Sequence, residues 1–116
     1  MPLLVPVERF TELVSDALDL IPQRFTAAME NVAVLVEDEF PGRANLLGLY
    51  SGVDLTRRSS QYSWALPDRI TIYRLPICAV CATEQEVIRQ VAITVVHEVG
   101  HHFGIDDATL HELGWG

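Results

Sequence analysis

The 116 residues suffice for one hydrophobic core and are too few for two ordinary domains, so a single domain over residues 1–116 is expected. Apolar residues make up 49% and charged residues 21% of the chain, a globular balance, and no apolar run reaches the roughly 18 residues of a membrane span. The formal charge of −8, with every basic residue an Arg, speaks against a phosphate backbone as partner, because that backbone is held mainly by Lys and Arg that displace its counterions. No nucleic-acid partner and no membrane partner are expected.

The opening Met1-Pro2-Leu3-Leu4-Val5-Pro6 lacks the basic start, long apolar stretch and small-residue cleavage site of a secretion signal, so the expected location is cytoplasmic. Val7, Phe10, Leu13, Val14, Ala17, Leu18 and Ile21 recur at helical spacing and paint one face apolar, until Pro22 ends the helix. A shorter helical piece, Gln23 to Glu30, follows, with Pro22 tolerated at its start. Val32-Ala33-Val34-Leu35-Val36 is β-branched and short, and reads as a strand running toward Phe40 and stopped by Pro41-Gly42.

Leu46 to Val53 reads as a second strand, and its Gly48 and Gly52 mark an edge or a bulge that could take an extended peptide. Thr56 to Asp68, carrying Arg57-Arg58 and Pro67, reads as a loop of functional length. Arg69 to Leu75 alternates as a half-buried strand and is closed by Pro76. Cys78 and Cys81 form a C-x-x-C compatible with a redox pair or half of a metal site; with no second half in the chain, small buried thiols are the favoured reading and a disulfide stays open. Thr83 with Glu86 has the form of a capping box, opening a helix whose buried stripe is Val87, Ile88, Val91, Ala92, Val95 and Val96 and which Gly104 ends. A short helical piece around Ala108 to Leu113 completes the chain.

The chemistry concentrates in His97-Glu98-Val99-Gly100-His101, late on the longest helix. A four-residue separation places both imidazoles on one helical face, where they can converge on one ion. Glu98 points about a quarter-turn aside. A catalytic site needs a third ligand beyond the turn that Gly104 permits, and the stretch reads H-E-x-x-H-x-x-G-x-x-D with Asp107 at the last position. Asp106 is the competitor. The spacing favours Asp107 as ligand and Asp106 as N-cap of the final helix.

These residues resemble the zincin metallopeptidases, and Leu110-His111-Glu112-Leu113-Gly114 extends the likeness to the small bacterial zincin-like group sometimes called minimal zincins. The resemblance implies an α+β fold: a small mixed sheet of about three to four strands packed against an active-site helix and an N-terminal helix, with an edge strand above the metal. It also implies one Zn2+ with a bound water, held by His97, His101 and Asp107, with Glu98 as catalytic general base. Larger metzincins resemble the chain only in part, since their third ligand is usually His and they carry a methionine turn; the two Met here are Met1 and Met29.

His102 reads as a helix-end histidine favourable to the dipole. His111 either orients a ligand or simply lies on the last helix. Tyr50, Tyr62 and Tyr73 are candidate oxyanion donors that packing explains better, and Trp64 is a candidate substrate contact. The leading reading is a zinc-dependent metallopeptidase acting on a peptide or protein substrate. Its rivals are a metal-binding module without turnover and a metal-dependent RNA-processing hydrolase; the small RNA-maturation nucleases that the pattern resembles have glycine where this chain has Glu98, a third His and a basic surface.

Overall fold

The computed structural model describes residues 3–52 and 68–115; Tyr62, Trp64, the Arg57-Arg58 doublet and most of the anticipated loop lie outside them. Helix α1 spans Val7–Leu20 and buries Phe10, Leu13, Val14 and Ala17, the stripe its periodicity marks. Pro22 opens α2, Gln23–Thr26, and a 3-10 turn over Ala27–Met29 finishes that helical piece. Strand β1, Val32–Glu37, stops short of Phe40. There Pro41-Gly42 forms a tight turn closed by the Arg43 N–H donating to the Phe40 carbonyl (3.0 Å), with Gly42 at φ 81°, the left-handed value that favours glycine at this place in a turn.

Strand β2 is shorter than expected, Gly48–Ser51, and β3 spans Asp68–Tyr73. The sheet order is β1-β3-β2: β1 runs parallel to β3, Val34 opposite Ile70, and β2 runs antiparallel to β3, Gly48 opposite Ile72. One face of β3 sends Ile70 and Ile72 into the core. Mixed pairing leaves β2 as an edge beside the long helix, the element the site is built against.

The residues after Tyr73 depart from the strand that alternation suggested. Arg74–Ala79 is a helix, α3, and Pro76 occupies its first turn, where a missing N–H costs nothing because that donor lacks an intrahelical partner anyway. Arg74 anchors the change of direction, donating to the Val5 carbonyl at 2.7 Å and to Asp38 at 3.1 Å. Cys78 and Cys81 are free and buried; burial foremost raises the Cys81 thiol above its ordinary value, the setting of a packed, unreactive thiol.

Helix α4, Glu84–His102, opens as its capping residues dictate. The Thr83 hydroxyl accepts from the Glu86 N–H at 3.1 Å, while the Glu86 carboxylate reaches back to the Ala82 N–H, one residue earlier than the usual box. Val87, Val91, Val95, Val96 and Val99 are buried against α1 and the sheet. Among the described residues no helix is long and apolar enough to cross a membrane. The last helix, α5, is Asp107–Glu112.

Candidate metal centre

Two successive glycine turns fold the carboxyl-terminal residues back over the His97–His101 face. At the end of α4 the Gly104 N–H donates to the His101 carbonyl (3.1 Å) and the Ile105 N–H to the Gly100 carbonyl (2.7 Å), with Gly104 at φ 84°. That pair of bonds is a Schellman motif, whose left-handed position glycine occupies without strain. The same pattern closes α5, where the Gly114 N–H donates to His111 (3.0 Å) and the Trp115 N–H to Leu110 (2.8 Å), with Gly114 at φ 89°. Gly100 lets the fold-back pack closely: a Cβ there would lie 3.1 Å from Leu110 Cδ2, so its bare backbone is the seat for fully buried Leu110, which anchors α5.

This packing brings Asp107 to the two histidines. His101 Nε2 lies 2.6 Å from Asp107 Oδ1, and His97 Nδ1 lies 3.6 Å from the same oxygen. Donor atoms of His97, His101 and Asp107 all fall within 4.8 Å of one another. Two imidazoles and one carboxylate form a donor set suited to zinc. The side chains are 26%, 45% and 75% exposed respectively, so the cluster faces solvent and leaves room for water or substrate beside it.

Asp106 does something else. Its carboxylate accepts from the Thr109 N–H at 2.8 Å and caps α5, and that backbone bond foremost holds its carboxyl below the ordinary carboxylate value. His97 has a support that no side-chain spacing announces: its Nε2 contacts the Trp115 carbonyl. With that nitrogen carrying the proton, Nδ1 keeps its lone pair toward Asp107, the arrangement in which an outer hydrogen bond fixes a ligand's tautomer. Trp115 is placed by its Schellman bond and by edge-on packing against Phe25, with ring centroids 6.4 Å apart.

Glu98 points to β2, and its Oε1 accepts from the Tyr50 backbone N–H at 3.1 Å. A cleft of about 420 Å³ runs between β2 and α4, with Leu46, Gly48, Ile93, His97 and Glu98 in its walls. Gly48 permits this close approach, since a Cβ there would lie 2.6 Å from Thr94 Cγ2. Of the other candidates, the Tyr50 hydroxyl is committed to Asp68 at 2.8 Å, and Tyr73 is buried against Phe40. His111 is exposed on α5, outside the cluster. His102 faces Tyr50, their rings stacked at 4.0 Å.

A three-stranded mixed sheet backed by a helix with two facing histidines, to which a glycine turn returns a carboxylate, is the architecture of a small zincin-like fold. The chain belongs to the zincin-like metallopeptidase family, whose model matches residues 26–115. That membership points to a metal-dependent peptidase and hydrolase with a zinc or other metal cofactor. Among solved structures, a conserved hypothetical protein from Thermo thermophilus is similar over 84% of this chain and 94% of its own, at 26% identity and a TM-score of 0.57. No curated protein matches.

Proposed function

We propose that the protein is a zinc-dependent peptidase in which His97, His101 and Asp107 hold the ion and Glu98 is the general base. The observation that carries this reading is the convergence of the three donors, one of which, His97, shares a cleft wall with Glu98. A zinc ion held there supplies Lewis-acid polarisation of the scissile carbonyl and a more acidic water. The Glu98 carboxylate takes a proton from the attacking water and returns it to the departing amine. Gly48 and Tyr50 have the strand parity whose main-chain groups point away from β3, given that the Tyr73 N–H bonds the Leu47 carbonyl. With the Tyr50 N–H serving Glu98, the Gly48 N–H and carbonyl and the Tyr50 carbonyl are the groups left to meet a peptide. An extended peptide is therefore the substrate shape the edge favours.

The test combines metal content and peptide cleavage. Protein purified without chelator is expected to retain zinc at near one-to-one stoichiometry, and His97→Ala and Asp107→Ala to lose it. Glu98→Gln is expected to keep zinc while cleavage of a mixed peptide library falls by about 10²–10⁴-fold, the usual contribution of a positioned acid–base group. Glu98→Gln cleaving at the wild-type rate, or wild-type protein taking up no zinc on dialysis, overturns the proposal.

A further inference from the structure

Glu98 is held by an element that would itself be loosely held without help. Its donor, the Tyr50 N–H, belongs to a strand of four residues paired on one side only, and short edges with few contacts open at low free-energy cost. Two side-chain contacts fix it. The Tyr50 hydroxyl donates to Asp68 Oδ2 at 2.8 Å, tying β2 to the first residue of β3. The Tyr50 ring lies flat on the His102 imidazole, with centroids 4.0 Å apart and planes within 17°, tying β2 to the end of α4. His102 follows His101, yet a helical step of about 100° turns it off the metal-facing side and toward the strand. The chain leaves β2 through Gly52, where a Cβ would lie 3.5 Å from His102 and 3.6 Å from Asp68, so the strand's exit is packed on the same pair.

The geometry points to a clamp in which Tyr50, pinned between His102 and Asp68, is a positioning residue that presents its backbone N–H to Glu98 and holds that carboxylate at the cleft. The significance of Glu98 rests on the peptidase reading above; the clamp itself can be observed without turnover. A carboxylate accepting from a backbone N–H makes one of the stronger, more directional hydrogen bonds, which selects one orientation for a side chain that solvent would otherwise leave mobile. Misplacing a catalytic group by about 1 Å can cost about a hundredfold in rate. Burial foremost, then Asp68, pushes the Tyr50 phenol up to about 12, so its hydroxyl remains a donor throughout the neutral range.

The experiment is amide hydrogen exchange and chemical shift of Tyr50 by NMR, on zinc-loaded wild type and on Glu98→Ala, His102→Ala, His102→Phe and Tyr50→Phe. Residue 50 is expected to lose about tenfold or more of its amide protection in Glu98→Ala, as fits removal of a hydrogen bond to a charged acceptor. His102→Ala is expected to do the same and His102→Phe, which keeps a ring to stack on, to restore protection. Tyr50→Phe is a milder second variant that keeps the stack and the N–H and loses only the Asp68 bond; partial loss is expected. A Tyr50 amide indifferent to Glu98→Ala, or one lost there but indifferent to His102→Ala, overturns the clamp. Cleavage of the peptide library is measured on the same samples, with kcat expected to fall in His102→Ala at little changed KM. The NMR pattern without any cleavage leaves the clamp standing and overturns the peptidase reading instead.

Discussion

Tyr50 carries two tasks that its side-chain type does not reveal: its N–H serves Glu98 and its phenol serves Asp68. Single residues with local partners were legible before any fold was in hand. His97 and His101 share a face because of helical period alone, and Asp106 caps because a carboxylate just before a helix finds the N–H three residues on. The Trp115 carbonyl on His97 and the Tyr50 N–H on Glu98 were not legible, since main-chain groups are the same in every residue and only the tertiary fold aims them. The phenol gives a test of its own. Its folded value of about 12 exceeds the ordinary value of about 10, so its contribution to stability is complete below pH 10 and is lost as pH rises through 12. Replacing Tyr50 by Phe is expected to remove one late-ionising phenol from the ultraviolet titration and to flatten the fall in stability across that window. An unchanged alkaline limb would show that the Tyr50 phenol is neither buried nor held by Asp68 in solution.

Among the elements, α1 and α4 were readable because each must paint one face apolar to be buried, and both cap and breaker are local. The chain between Tyr73 and Ala79 was not. Alternation through Leu75 resembles a strand, yet Arg74 is drawn to Val5 and Asp38, residues remote in sequence, and the backbone coils there into α3. The approach of β2 to α4 was likewise hidden, although Gly48 carried its trace as a glycine inside an apolar run. A methyl group at Gly48 meets Thr94 Cγ2 at 2.6 Å and the Thr71 carbonyl at 3.3 Å, so Gly48→Ala forces strand and helix apart. Overpacking of this kind costs about 1–3 kcal/mol, to be read as a lower urea midpoint at unchanged slope. Replacing Thr94 by Ser deletes the opposing methyl. The double variant is therefore expected to recover much of the loss, and a cycle showing simple additivity would mean that the two residues do not touch as described.

Across the whole molecule, the candidate centre draws on parts that unfolding separates: the last turns of α4, the cap of α5, the closing Trp115 and the edge strand. An unfolded chain offers His97 and His101 without Asp107 fixed beside them, so zinc should bind the folded state far better. Free zinc at about a hundredfold above its dissociation constant then adds about 2.7 kcal/mol of stability, visible as a melting temperature raised by several degrees and returned by chelator. Gly104→Ala is the informative companion. At φ 84° an alanine is strained by about 1–2 kcal/mol, and relief of that strain opens the turn that returns Asp107 to the histidines. Its melting temperature is expected to fall without zinc, and its zinc-induced rise to shrink as well. Asp107→Ala, exposed and outside the core, should melt close to wild type without zinc and lose the rise. A full rise in Asp107→Ala would place the third donor elsewhere, while a full rise in Gly104→Ala would mean that the turn is held by Leu110 packing on Gly100 and not by glycine at its corner.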